Sequence, residues 1–319
     1  MDLKLSPSSQ HLLRCPICQS SVEQNEEHFL CTNVDCATQF PVVHGIPILI
    51  NEDRSVFSIR KYLNEPAPGS VPSGKSVKAR LDKLLPGISK NLKAKENFVT
   101  FTELLLKKSS VPKVLVVGGR VLGEGMEHLA SCESIELLES DVAFGPRTQL
   151  ILDAHDIPFA DNSFDGVVVQ AVLEHVLDPY RCVREIHRVL KTQGLIYAET
   201  PFMQQVHGGA HDFTRFTHLG HRRLFRHFDE LDSGPVGGPG MGLAWSYQYF
   251  LLSFGNSRKT RMLLRTFARL TSFYLKYFDA YLIKKLGSYD AASGFYFIGE
   301  KNLQPLSDKA LLALYRGLY

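Results

Sequence analysis

No stretch of this 319-residue chain is apolar for long enough to cross a bilayer, which takes ~20 consecutive residues, so a membrane-spanning protein is not expected. The N-terminal run MDLKLSPSSQHLLR has no long apolar core, and a secretory leader is not expected there. Charge of one sign is also lacking. The 36 Lys and Arg stand against 33 Asp and Glu, and a net charge of +3 does not by itself point to nucleic acid. No internal repeat is visible, which argues against a repeat architecture. Cysteine is scarce beyond the first forty residues, where only Cys132 and Cys182 occur, each alone. Isolated thiols suit a reducing compartment, and the cytoplasm is the expected location. What remains is the composition of a globular protein, 44% hydrophobic and 22% charged, with chain enough for one or two domains.

The other four cysteines crowd together as Cys15-Pro-Ile-Cys18, Cys31 and Cys36. A Cys-x-x-Cys turn aims two sulfurs at one ion, and a hairpin can bring back a second pair, so the spacing suits a four-thiolate structural zinc site. Buried or disulfide-bonded cysteines are the alternative. Four thiolates leave no open position, which excludes a catalytic zinc. The apolar run Phe40 to Ile50 follows. This segment resembles the small zinc ribbon related to the tRNA-methyltransferase activator subunit, which implies a ribbon over residues 1–52. The Pro, Gly and Ser-rich run from Asn64 to Lys75 reads as a linker within 53–89.

Residues 90–319 read as the main body. Lys90 to Lys108 has a helical stripe, and Lys113 to Val117 is a strand running into a glycine turn, Gly118-Gly119-Arg120-Val121-Leu122-Gly123. A helix is expected from Met126. Further strands are expected at Ser134 to Ser140, Leu150 to Leu152 and Phe164 to Val169. Asp178-Pro179 is a helix cap and first turn, and Gly194 is the expected end of that helix before a strand at Leu195 to Ala198. Phe228 to Gly237 and Ser293 to Gly299 are expected as the last two strands. Between them Met241 to Tyr289 reads as a helical insertion, in which an aromatic side through Phe267, Tyr277 and Phe278 is expected to be core and the arginines solvated.

The ordered series Asp153-Ala154-His155-Asp156-Ile157-Pro158-Phe159, Ser163-Phe164-Asp165, Leu173-Glu174-His175-Val176 and Arg188-Val189-Leu190-Lys191 resembles the type 11 family of class I S-adenosylmethionine (SAM) dependent methyltransferases. The resemblance implies an α/β fold, a doubly wound seven-stranded Rossmann-like sheet, with SAM as cofactor. It places Gly118, Gly119 and Gly123 against the methionine end. Asp141, with Glu139 in reserve, would take the ribose hydroxyls, Asp153, Ala154 and His155 the adenine, and Gln170 would border the methyl group. Two features depart from the family pattern. Val116 stands where an acid is usual, and Arg120 to Leu122 break the glycine spacing.

The run from Pro201 to His221 is dense in imidazole and amide groups, and loops of this kind on an α/β edge carry function. His175, His207, His211 and Asp212 are the candidate catalytic groups. His175 can equally be a helix residue bonding a backbone carbonyl. No carboxylate–histidine spacing enforces a second metal site among them. Three functions compete: methyl transfer to a small-molecule or glycan-type acceptor; methyl transfer to RNA or protein with the ribbon as grip; and a non-catalytic scaffold, for which Val116 and the altered glycine loop speak. Peripheral membrane contact through the insertion stays open.

Overall fold

The computed structural model describes residues 3–25, 27–66 and 85–319. Eleven strands among these form one sheet: β1 (Val22–Gln24), β2 (His28–Cys31), β3 (Gln39–Val43), β4 (Ile46–Leu49), β5 (Lys113–Val117), β6 (Glu136–Asp141), β7 (Leu150–Leu152), β8 (Phe164–Gln170), β9 (Leu190–Pro201), β10 (Phe228–Gly237) and β11 (Gly294–Lys301). Their spatial order is β1-β2-β3-β4-β7-β6-β5-β8-β9-β11-β10. From β7 to β10 this is a doubly wound sheet, parallel except for β11, which lies antiparallel between β9 and β10. The central strands are buried on both faces, which is why β5, β7 and β8 are runs of Val, Leu and Ile rather than alternating patterns.

The four strands beyond β7 belong to the cysteine-rich segment. Hairpin pairing joins β1 to β4, and β4 then runs parallel to β7 with Ile48 opposite Ile151. Leu13, Cys15, Phe29 and Phe40 share one buried cluster with Ile157, Phe159 and Val183 of the main body. The segment therefore extends the main sheet and its core rather than standing apart.

The stretch after β4, read from sequence as linker, is ordered as far as it is described. A 3-10 turn at Glu52–Arg54 and a helix at Ile59–Leu63 cross the carboxyl edge of the sheet. Buried Tyr62 donates to the carbonyl of Val142 at 2.7 Å. Most of the Pro and Gly-rich run lies in 67–84, outside the described residues.

Several boundaries differ from expectation for local reasons. Helix Pro179–Val189 starts at the Asp178 cap, which accepts from Arg181 N at 2.9 Å, but it ends at Leu190 rather than at Gly194. The left-handed residue is Gln193 (φ 61), and β9 begins at Leu190 rather than at Leu195. The helix after the glycine loop is a single turn, Glu127–Ala130.

The insertion is helical, with helices Pro239–Leu252, Arg258–Ser272 and Leu275–Leu282, but its aromatic side is not core. Phe267, Tyr277 and Phe278 are 54%, 59% and 59% exposed. Small residues take the close contacts instead: Gly240 packs against Leu275 and Asp279 of the third helix, Gly242 against Met203 and Ala291, and Ala244, Ala268 and Ser272 are buried, which leaves the large rings outside.

Candidate functional site

The carboxyl ends of β5, β6, β7 and β8 open into a cleft of about 640 Å³, where ligands bind in doubly wound sheets. Gly118, Asp141, Asp153, Ala154, His155, Gln170, His175 and His211 line it. Gly118 turns left-handed (φ 84), and a Cβ there would lie 2.3 Å from Val172 Cγ2, so only glycine fits. Gly119 and Gly123 do not line the cleft. The first packs onto Glu139 and Val116, and the second faces the Gln170 amide. Arg120 and Val121 line the wall instead, and Val116 is buried beneath.

Asp141 accepts from Arg120 N at 3.1 Å and Ala143 N at 3.0 Å, and burial pushes its carboxyl up. Glu139 faces away and pairs with Arg147 at 2.6 Å. Asp153 holds His155 twice, at N (3.0 Å) and Nδ1 (2.6 Å), while His155 Nε2 accepts from Asp178 N at 3.1 Å. The ring is thereby fixed as a positioning group. Burial opposes ionisation of Asp153, but His155 and Ser55 prevail and hold it below the usual carboxylate range. Ser55 donates to Asp153 Oδ2 at 2.5 Å, Val56 and Phe57 line the cleft, and Phe57 stacks on His211 at 6.2 Å. Part of the cleft wall thus comes from the stretch that the sequence presented as linker.

Beyond β8 the chain turns left-handed at Ala171 (φ 54) and brings Glu174 and His175 over the sheet edge. A smaller cavity of about 170 Å³ adjoins there, lined among others by Ala171, Glu174, Glu199, Asn91, His207 and Trp245. Glu199 accepts from Tyr197 Oη, from Asn91 Nδ2 (2.9 Å) and from Gln170 Nε2 (3.0 Å), and burial pushes its carboxyl up. Gln170 also donates to Glu124 O at 3.1 Å, which ties it to the glycine loop.

His175 Nδ1 donates to the His211 carbonyl at 2.6 Å, and burial lowers its pKa. Both side-chain oxygens of Glu174 are buried with no hydrogen-bond partner, and burial pushes this carboxyl up to about 7. Asp212 is no free base. Against the effect of burial, Arg215 and the backbone N–H groups of His207 and Gly208 hold it well below the usual carboxylate range. His218 and His221 are core, packed against Phe295.

At the far edge, Cys15, Cys18, Cys31 and Cys36 converge, with all four sulfurs within 4.8 Å of one another. Cys15 and Cys36 Sγ are 3.8 Å apart, Cys18 and Cys31 3.4 Å, and none is in a disulfide. A tetrahedral ion with ~2.3 Å metal–sulfur bonds sets sulfurs about 3.8 Å apart, so the donor set fits zinc.

Comparison with known proteins bears on the middle of the chain. Residues 129–198 match the family model described as methyltransferase domain. This segment is thus similar to a methyltransferase domain. A demethylmenaquinone methyltransferase of Staphylococcus epidermidis is 36% identical over 76 residues, 24% of this chain and 27% of the relative. The match thus spans about a quarter of that relative's length. Among solved structures, a Haemonchus contortus phosphoethanolamine N-methyltransferase 2 in complex with S-adenosyl-L-methionine is 14% identical, with a TM-score of 0.40 over 66% of this chain and 56% of that one. The YcgJ protein of Bacillus subtilis is 14% identical, with a TM-score of 0.36 over 65% and 100%. The series from Asp153 to Lys191 that carried the resemblance lies inside the matched residues.

Proposed function

We propose that the protein is a SAM-dependent methyltransferase acting on a small-molecule or glycan-type acceptor. The observation that carries this reading is the pairing of two cavities across Ala171. The larger has acids at the ends of β6 and β7, and the smaller is of a size for the reacting part of an acceptor. Asp141 would accept from the ribose hydroxyls through its two oxygens and Asp153 from the adenine amino group. Backbone at Gly118 would cradle the amino-acid end, which points the methyl group toward Gln170 and Ala171. The sulfonium methyl is already activated. In-line alignment and exclusion of water supply much of the rate, and a base is needed only for a weak nucleophile. The cysteine cluster would hold a structural zinc that stabilises the ribbon.

Calorimetric titration of SAM and S-adenosylhomocysteine tests this, beside Asp153→Ala. Micromolar binding lost in the variant supports the reading. Absence of binding by folded, zinc-loaded protein moves the weight to a scaffold.

A second reading is a membrane-borne or macromolecular acceptor. It is favoured by the exposed Phe250, Phe254 and Phe267 of the insertion beside the exposed Arg258, Arg261 and Arg265. Cosedimentation with anionic but not zwitterionic vesicles would favour it.

A further inference from the structure

We propose that Glu174, His175 and His207 bind one divalent transition-metal cation, with open coordination positions facing the smaller cavity. Glu174 Oε1 lies 3.7 Å from His175 Nε2 and 3.8 Å from His207 Nε2, and the donor atoms all lie within 4.8 Å of one another. These separations are too long for hydrogen bonds. They suit donors around one ion, since two groups each ~2.1 Å from a metal stand at most about 4.2 Å apart. A small swing of the partly exposed His207 ring completes the closure.

Three further features point the same way. Glu174 is 0% exposed, and neither of its carboxylate oxygens has a partner, a state that is costly unless a cation or donor is supplied. Nearby Arg215 does not supply it. Its guanidinium is engaged with Asp212 and with the carbonyls of Gln204, Thr214 and Gln205.

The imidazoles are oriented for ligation. His175 Nδ1 donates to the His211 carbonyl, and His207 Nδ1 stands 3.2 Å from the Gln205 carbonyl, leaving both Nε2 lone pairs toward Glu174. Ligating histidines are characteristically held by such contacts through the other ring nitrogen. Arg215 Nη2 also approaches His207 Nδ1, at 3.4 Å, and would yield to the Gln205 contact when Nε2 binds an ion. Gly208 lets the loop seat this closely, because a Cβ there would lie 2.5 Å from His175 Cε1.

Two imidazoles and one carboxylate make a borderline donor set for Zn²⁺, Fe²⁺, Co²⁺ or Mn²⁺ that leaves positions free. His207 and Glu174 line the smaller cavity, while His175 lines the larger. A bound cation would therefore stand between the two and present its free positions to an oxygen-donor ligand. The cation site does not rest on the methyltransferase reading; the oxygen-donor acceptor does.

The test is titration of Co²⁺ into full-length protein whose cysteines are loaded with zinc, followed by absorption and calorimetry. One cobalt per chain is expected, with no sulfur-to-cobalt charge-transfer band. Affinity should fall at least tenfold in both Glu174→Gln and His207→Ala. The second variant sits on a partly exposed loop ring and guards against a folding failure of the first. No uptake beyond the cysteine site, uptake that carries the thiolate band, or uptake unchanged in both variants overturns the proposal. S-adenosylhomocysteine is titrated in parallel. Its failure to bind, with cobalt uptake as expected, supports the cation site while sinking the methyltransferase reading.

Discussion

Among the described residues two clusters have donor atoms close enough to hold a metal, and they are built in opposite ways. The four cysteines come from 22 consecutive positions, Cys15 to Cys36, on turns that the spacing itself prescribes. Glu174, His175 and His207 are assembled across the sheet edge, by a left-handed turn at Ala171 and a loop that passes over His175 at Gly208. The first cluster closes on itself, and its four donors would complete a tetrahedron around an ion. The second supplies three donors beside a cavity. On these readings one arrangement would serve folding and the other binding, and the two should answer differently to the same insult.

The largest expected effect is at the cysteines. Structural zinc contributes ~10–16 kcal/mol in small metal domains. Here the ribbon also carries β4, which pairs with β7, and the strap whose Ser55 and Phe57 reach Asp153 and His211. Chelation of the cysteine-bound metal, or Cys18→Ser, is expected to unfold β1 to β4 and to weaken S-adenosylhomocysteine binding at least a hundredfold. Calorimetry with and without chelator checks this. Unchanged affinity after complete loss of zinc would show that the strap holds the cleft without the ribbon.

Next in size is an acid effect of two buried histidines, His218 and His221, on the helix His218–Leu224. Burial pulls His218 down to about 4 and His221 down to about 3, whereas the unfolded chain titrates near 6.5. The folded-state values are depressed, so the unfolded chain binds more protons. Stability is complete above about pH 6.5 and is lost as the pH falls toward 4 and 3, at about 1.4 kcal/mol per pH unit for each imidazole. Urea midpoints at pH 7 and pH 5 measure it. His221→Phe, placed against Phe225 and Phe297, should flatten the slope.

The sequence made the sheet legible because parallel strands advertise themselves as Val, Ile and Leu runs between capped helices. β7 and β10 fall where the pattern placed them. Chemistry with local spacing was equally legible, as Cys15 to Cys36 shows. Long-range assembly was not. Nothing in the sequence singled out Glu199, and Glu174 figured only in the Leu173 to Val176 run, yet Glu174 is an unpartnered buried carboxylate and Glu199 binds together Asn91, Gln170 and Tyr197. Asp212 looked like a base and is committed to Arg215. The strap was hidden by its neighbours, since a Pro and Gly-rich run beside it made all of 53–89 read as connector. The aromatic side of the insertion misled for a different reason. Helical spacing says which residues share a face but not which face a neighbour covers, and here the small residues took the contact.

Asp141→Ala sharpens the comparison from the cofactor side. Its carboxylate is distant in sequence from both clusters, so the loss should be confined to ligand affinity. Hydrogen bonds to a charged group are worth ~1.5–3 kcal/mol, which predicts about ten- to hundredfold weaker S-adenosylhomocysteine binding at unchanged melting temperature. A drop in melting temperature as large as that of Cys18→Ser would mean that Asp141 supports the loop through Arg120 N and Ala143 N instead.

The smallest effect carries the opposite sign, and it bears most directly on the contrast between the clusters. Glu174 is a buried acid without a hydrogen-bond partner, so in metal-free protein it destabilises the fold. Replacing such a group by an apolar one removes a desolvation cost of ~1–3 kcal/mol, less whatever repacking is lost. Glu174→Leu should therefore raise the metal-free melting temperature, by about 1 kcal/mol in stability, while Cys18→Ala lowers it. Thermal unfolding of both variants after removal of loosely bound metal gives the answer. Opposite shifts would mean that the second cluster is held at a cost to stability, as binding sites commonly are. A destabilised Glu174→Leu would mean that the carboxylate itself supports the packing around it, since the backbone carbonyl that accepts from Phe213 N and Thr214 N is kept in the variant, and the two clusters would then share a structural role.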